Sequence, residues 1–299
     1  LANDFVRSLR NAVLFGSVPA QAHIRFLGRC RLFVDPSDNR GQSVLRSCGV
    51  TQPRVSLVWR GLAKRIRPDI VLDIGANYGE ISLSLKYSEQ SQVHLFEPNP
   101  HVRRYLDRSV STHVNRKNII VHSEVVSDRP GFVEFVIDRK WSGTSSAVGE
   151  IEDSGFKGGG EQSYERLNLP TLTIDHCIEA VSCRSLLFKI DVEGYERQVM
   201  QGMERTLRGS ASFGGIVEFD RNSLQRANTD PDAFVAQLRN IGIVHVLSGG
   251  TLSEMKVPPS HCDLVIVSDR KYLDGLTLLP NVLRAMSPRR LGRTLGGKS

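Results

Sequence analysis

The sequence predicts a doubly wound, mostly parallel α/β sheet closed by a C-terminal antiparallel hairpin. Three observations carry that expectation. Short, nearly continuous apolar runs recur from residue 69 onward, "IVLDIG", "VHLFEP", "NIIVHSEVV", "SLLFKIDVEG" and "GGIVEFD", as strands buried on both faces require. Stretches with helical spacing alternate with these runs, which points to crossovers between parallel strands. The first run also breaks into a loop bearing Gly75 and Gly79, at the strand end where such sheets hold ligands.

Taken in order, residues 1–66 read as a helical N-terminal cap, because Phe5, Leu9 and Val13 recur at three to four. Residues 67–270 form the α/β domain and 271–299 a basic tail. Within the domain, "EISLSLKYSEQ", "PHVRRYLDRSVSTHV" and "YERQVMQGMERTL" are expected as crossover helices. "DPDAFVAQLRN" reads as a helix started by Asp230 and Pro231, with Gly242 just past its end. "VHVLSG" and "CDLVIVSD" then supply the closing hairpin. The Gly- and Ser-rich string at 141–163 cannot pack by itself and reads as a surface or substrate loop.

Charge and cysteines narrow the class. The net charge of +7 is uneven: residues up to Asp69 carry +8 and those from Arg284 onward +5, so the motif-bearing middle is at −6. That distribution argues against a nucleic-acid groove and toward a small-molecule substrate. Five scattered cysteines, with no C-x-x-C pair and no His/Cys ligand spacing, predict a reducing, cytoplasmic setting and no metal. No run of 18 apolar residues occurs, so no transmembrane segment is expected. The sequence does not specify an oligomeric state.

The glycine loop has the spacing G-x-x-x-G with Asn77 in the middle, not the G-x-G-x-x-G of dinucleotide enzymes. Asp73 ends its strand, and Glu97 ends the next, 24 residues on, where a ribose-binding acid belongs. With Asp191 these acids form a ring that repels a pyrophosphate. They suit S-adenosylmethionine, which carries a sulfonium, an ammonium and one carboxylate. Glu97, beside Pro98, would accept the ribose hydroxyls. Asp73 would organise the amino-acid end, and backbone N–H groups from Gly75, Ala76 and Asn77 to Gly79 would meet the carboxylate.

The segments "VLDIGANYGEIS" (71–82), "LFEPNP" (95–100), "VVSDRPGFVEF" (125–135), "LPTLTID" (169–175) and "LLFKIDVEGYERQVMQGM" (186–203) resemble the FkbM-type S-adenosylmethionine-dependent methyltransferases. "KIDVEGYE" is the most specific of them. The resemblance implies a Rossmann-like class I methyltransferase fold and O-methylation of a sugar or other secondary metabolite. By position it implies cofactor contacts at Asp73, Gly75, Asn77, Gly79 and Glu97, an adenine contact at Ser123, and Asp191 beside the methyl group. The chain departs from the family in "HSEVVSD", where Asn and Ala are commoner at 123 and 125.

For the chemistry, strand alternation in "FKIDVEG" puts Lys189, Asp191 and Glu193 on one face. Three ionisable groups there are costly unless used or paired. Asp191 or Glu193 is the candidate base or acceptor-orienting group, and Lys189 the partner that balances charge. A salt-bridge network of Lys189, Glu193 and Glu196 is the structural alternative. Glu218 in "IVEFD" should approach Asp191, and Trp141 could stack on a sugar face. His176 follows Asp175 on what reads as a strand edge. An RNA methyltransferase using the basic flanks, a noncatalytic cofactor-binding scaffold and a nicotinamide oxidoreductase are the rival functions.

Overall fold

The computed structural model describes residues 22–27, 30–148, 164–178, 184–248, 251–274 and 276. Residues 1–21, positions 149–163 of the Gly- and Ser-rich string and the tail beyond 276 lie outside these, and with them Phe5, Leu9 and Val13. What is described of the expected helical cap begins instead as an antiparallel hairpin, β1 (Ala22–Phe26) and β2 (Cys30–Val34). The physical reason is alternation: Ala22, Phe26, Cys30, Leu32 and Val34 are buried, while Arg25 and Arg31 face outward. Two helices follow, α1 (Asn39–Arg46), N-capped by Asp38, and α2 (Pro53–Ile66), which starts on its proline.

The sheet proper begins with β3 (Ile70–Ile74) and β4 (Gln92–Phe96). The link between them is a single 3-10 turn at Ser82–Ser84, not the expected helix. Its serines are turned inward: Ser82 Oγ donates to Asp73 and Ser84 Oγ to the Ile81 carbonyl at 2.6 Å. Serine bonds of this kind compete with helix. Next come α3 (Pro100–Ser111), β5 (Ile119–His122) and β6 (Val125–Val126). The run "NIIVHSEVV" is therefore two strands of different sheets, parted at Ser123 and Glu124.

β7 (Gly131–Asp138) and β8 (Tyr164–Leu172) pair antiparallel, and β6 joins β8 to complete a three-stranded sheet. Of the loop between them, Trp141–Val148 is described and holds a 3-10 turn at Ser142–Thr144. The stretch around His176 is a short helix, α4 (Ile174–Cys177), rather than a strand edge. β9 (Ser185–Ile190) then leads to α5 (Glu196–Gln201) and α6 (Glu204–Gly209), where one helix was expected. The break falls at Gly202, which packs so closely that a Cβ there would lie 1.9 Å from the Ser127 carbonyl oxygen.

β10 (Ser212–Asp220), α7 (Arg221–Arg226) and α8 (Pro231–Ile241), capped by Asp230 as expected, precede β11 (Ile243–Ser248), β12 (Thr251–Ser253) and β13 (His261–Val267). The large sheet has the order β12-β11-β13-β10-β9-β3-β4-β5. β10, β9, β3, β4 and β5 run parallel, and β13 returns antiparallel between β10 and β11. This is the predicted doubly wound sheet with its closing hairpin. One face buries Val71, Leu95, Leu187 and Val265 under α2 and α3; the other buries Leu72, Phe188, Phe219 and Ile266 under α5 to α8. Among the described residues, no helix is long and apolar enough to cross a membrane.

Candidate active site

The carboxyl ends of β3, β4, β9 and β10 converge on a cleft of about 970 Å³, mouth included. That is the place expected of a ligand pocket in an open α/β sheet. Its apolar wall comes from the small sheet and its loop, through Val125, Phe135 and Ala147, with Tyr195 facing them.

The glycine loop forms the floor. Gly75 takes a left-handed φ of +79°, and a Cβ on it would lie 1.9 Å from the Asp191 carbonyl oxygen, so no other residue fits. Asn77 is also left-handed, at φ +50°. This loop is fastened to Glu97: Asn77 N–H donates to Oε2 at 2.8 Å and Asn99 N–H to Oε1 at 2.9 Å. Burial nevertheless pushes the Glu97 carboxyl up to about 7. Gly75, Ala76, Asn77, Glu97 and Pro98 all line the cleft as expected from sequence.

Three expected contacts do not. Asp73 is fully buried behind the loop, where it accepts from Ser82 Oγ and faces Lys189. Burial raises its carboxyl, and it is absent from the residues that line the cleft. Gly79 turns toward Leu83 and Leu106. Ser123 donates its N–H to Glu124 at 3.0 Å, and it is Glu124 that reaches the cleft.

The acid cluster is assembled as predicted, with one change of geometry. β9 ends at Ile190, and Glu193 sits in a turn at φ +56°, not on the strand. Asp191, Glu193 and Glu218 still each bring a carboxylate oxygen within 4.8 Å of the others. Lys189 Nζ lies 3.1 Å from Asp191 and 3.6 Å from Asp73, and donates to the Gly75 carbonyl at 3.3 Å. The alternative network of Lys189 with Glu193 and Glu196 is thus not formed. Glu196 instead accepts the N–H groups of Val192 and Gly194, at 3.1 and 3.2 Å, and pins the turn.

These contacts divide the protonation states. Withdrawal from water raises Asp191, but the Lys189 ammonium and a hydrogen bond with Glu218 outweigh it and hold Asp191 down at about 2. Burial lowers Lys189, and Asp191 with Asp73 more than reverse that, so it stays charged. Burial and the Asp191 charge push Glu193 up to about 8, and the same two causes carry Glu218 well above the carboxylate range. One group is left ionised and two are poised to exchange protons.

Sequence reasoning missed Arg40 and Asp38. Arg40 lines the cleft and pairs with Glu80, while Thr51 Oγ1 donates to the same Glu80 oxygen at 3.0 Å. Asp38 caps α1, accepts Tyr78 Oη at 2.7 Å and accepts Ser142 Oγ at 2.6 Å, so it ties the glycine loop to the loop that carries Trp141. Trp141 and Glu218 line the cleft; His176 does not. An N-cap aspartate is visible in sequence. Its two long-range partners are not.

Residues 73–242, more than half of the sequence, match the model of the methyltransferase FkbM domain. The chain belongs to the FkbM methyltransferase family. No curated protein matches it. Among solved structures it is similar to a methyltransferase FkbM from Methylobacillus flagellatus KT, at 13% identity and a TM-score of 0.40, over 67% of this chain and 44% of that one. It therefore spans less than half of that relative's length. A putative O-methyltransferase from Klebsiella pneumoniae is similar at 9% identity and a TM-score of 0.42, over 73% and 80% of the two chains. The O-methyltransferase TomG from Streptomyces achromogenes, solved in complex with SAM, is similar at 13% identity and 0.41, over 74% and 82%.

Proposed function

We propose that this methyltransferase uses its cleft to hold S-adenosylmethionine and transfers the methyl group to a hydroxyl oxygen of a small polar acceptor, a carbohydrate or glycosylated metabolite. The observation that carries the cofactor reading is Glu97. Each of its oxygens takes one backbone N–H, which leaves each with a free lone pair for one of two vicinal ribose hydroxyls. Asp191, the ionised member of the cluster at the other end, favours a cationic group and opposes a diphosphate. The positive φ of Gly75 and Asn77 lets the backbone approach such a ligand closely.

When bound, the cofactor supplies an electrophilic methyl on its sulfonium. The chain's own part is alignment and proton removal. Tyr195, Trp141 and the apolar wall flank the acceptor side and exclude water. Glu193, held up at about 8, is suited to take the hydroxyl proton, and Asp191, kept ionised by Lys189, to orient the acceptor. The acceptor class rests on this density of carboxylates, which bind sugar hydroxyls well. Cys30, Cys48, Cys177 and Cys262 are unpaired thiols, which supports a cytoplasmic setting.

The test is calorimetry with S-adenosylmethionine and with nicotinamide dinucleotides, followed by an acceptor screen with labelled methyl donor over sugars, glycolipids and RNA. Binding of a dinucleotide alone would overturn the cofactor reading. Label on RNA and not on sugars would overturn the acceptor reading.

A further inference from the structure

On the sheet face that packs against α4, two histidines and a cysteine meet away from the acid cluster. His94 of β4 and His122 of β5 come from neighbouring parallel strands, and their Nδ1 and Nε2 atoms are 3.0 Å apart. Cys177 ends α4. One ligand atom from each of the three lies within 4.8 Å of the others.

One feature of the pair is unexplained by packing. His94 is 6% exposed, and while its Nδ1 meets His122, its Nε2 is buried with no hydrogen-bond partner among the described residues, a costly arrangement for a structural side chain. The Phe96 ring stacks on His122 at 4.4 Å and holds it in place.

We propose that His94, His122 and Cys177 form a binding site for zinc, or a divalent ion of the same borderline-soft class, separate from the catalytic carboxylates. The donor set decides the class: two imidazoles and a thiolate select zinc-like ions, whereas the oxygen-only cluster of Asp191, Glu193 and Glu218 would suit a hard cation. In a tetrahedral zinc site the ligand atoms are roughly 3.3 to 3.6 Å apart. His94 Nδ1 and His122 Nε2 are 3.0 Å apart as a hydrogen bond that the ion would replace, and the Cys177 thiol, within 4.8 Å, has to draw in by about 1 Å. Binding converts the thiol to a thiolate bonded to the metal and releases its proton to solvent.

Glu124 completes the electrostatics. Its charge acts on both His122 and Cys177, and with it the ion, thiolate and carboxylate sum to zero. Glu124 and Phe96 also line the catalytic cleft, so the site abuts the pocket wall without sharing its base candidates. The three ligands are 28 and 55 residues apart in sequence, which is why no metal spacing is visible there.

The full chain, stripped with a chelator, is titrated with zinc and with cobalt. One ion per chain is expected, with one proton released and a thiolate-to-cobalt charge-transfer band in the near ultraviolet. Cys177→Ser should lose that band, and His122→Gln should weaken zinc binding at least tenfold, with far-ultraviolet circular dichroism unchanged in both. Absence of the band in the wild-type protein overturns the site whatever the variants do. Binding undiminished in both variants, or lost in Glu218→Gln instead, also overturns it.

Discussion

Lys189 and Asp73 are direct partners across the parallel pairing of β9 and β3, and the Lys189 ammonium reaches past that pairing to Asp191, at 3.1 Å. One buried cation therefore serves two carboxylates, one inside the sheet and one at the cleft. The arrangement keeps Asp191 ionised although its side chain is only one-fifth exposed.

Asp191→Asn removes the charge at the cleft and leaves Lys189 balanced by Asp73 alone. Methyl transfer is expected to fall about 100-fold or more, the scale of a lost proton-handling or orienting group. Cofactor affinity should fall by far less than turnover, because Glu97 and the glycine loop are untouched. Single-turnover transfer and calorimetry separate the two quantities, and unchanged turnover removes Asp191 from the chemistry.

Glu193 is protonated below about 8, because burial comes first and Asp191, Glu196 and Asp220 add to it. A base acts only when deprotonated. Turnover should therefore rise with pH up to about 8 and level off above it. Glu193→Gln is expected to lower turnover by about 100-fold and to flatten the rising limb. A wild-type profile already flat from neutrality upward would assign the base elsewhere.

The parallel strands were legible because each is a short apolar run with its own break, and the cleft residues followed because strand ends fix where a ligand sits. Glu97 and the Asp191, Glu193, Glu218 cluster could be placed this way. What stayed illegible depended on contacts across long sequence distance. Nothing local marks Asp38 as the acceptor of Tyr78 and Ser142, 40 and 104 residues away. Asp73 reads as a loop acid because it ends a strand, and only the inward Ser82 shows that it faces the interior. The hairpin at 22–34 was hidden by helical spacing in the preceding residues, and the crossover after Gly79 by serines that turn inward.

Asp38 joins α1, the glycine loop and the Trp141 loop through hydrogen bonds, and those from Tyr78 and Ser142 are buried. Asp38→Ala strips the α1 cap and leaves the Tyr78 and Ser142 hydroxyls without acceptors. Each buried hydroxyl left unpaired costs about 1 to 3 kcal/mol and the cap about 1 kcal/mol. The urea midpoint should drop by the equivalent of roughly 3 kcal/mol or more. Because the same change loosens the loop bearing Trp141, the acceptor KM is expected to rise more than the cofactor Kd. A selective increase in cofactor Kd would place the coupling on the glycine-loop side instead.

Glu97 links cofactor binding to pH. Burial pushes its carboxyl up to about 7 in the folded chain, against 4.5 for the free group. The sign follows from where the proton is held. A raised carboxyl keeps its proton in the native state over a range where the unfolded chain has released it. Its contribution to stability is therefore full below about 4.5 and is lost as pH rises through about 7, a change on the order of 3 kcal/mol at most. Ribose hydroxyls donate best to the ionised form, so cofactor binding should run the opposite way. The cofactor Kd is expected to tighten by up to about tenfold per pH unit on approach to 7 and then to level off, with close to one proton released at pH about 6. Calorimetry in buffers of different ionisation enthalpy measures that proton directly. Glu97→Gln should abolish the release and weaken binding about 100-fold, since one of the two backbone N–H groups would then face an amide NH₂ instead of an oxygen. A wild-type Kd that stays constant over the same range would remove Glu97 as the ribose acceptor and leave it only the task of fastening Asn77.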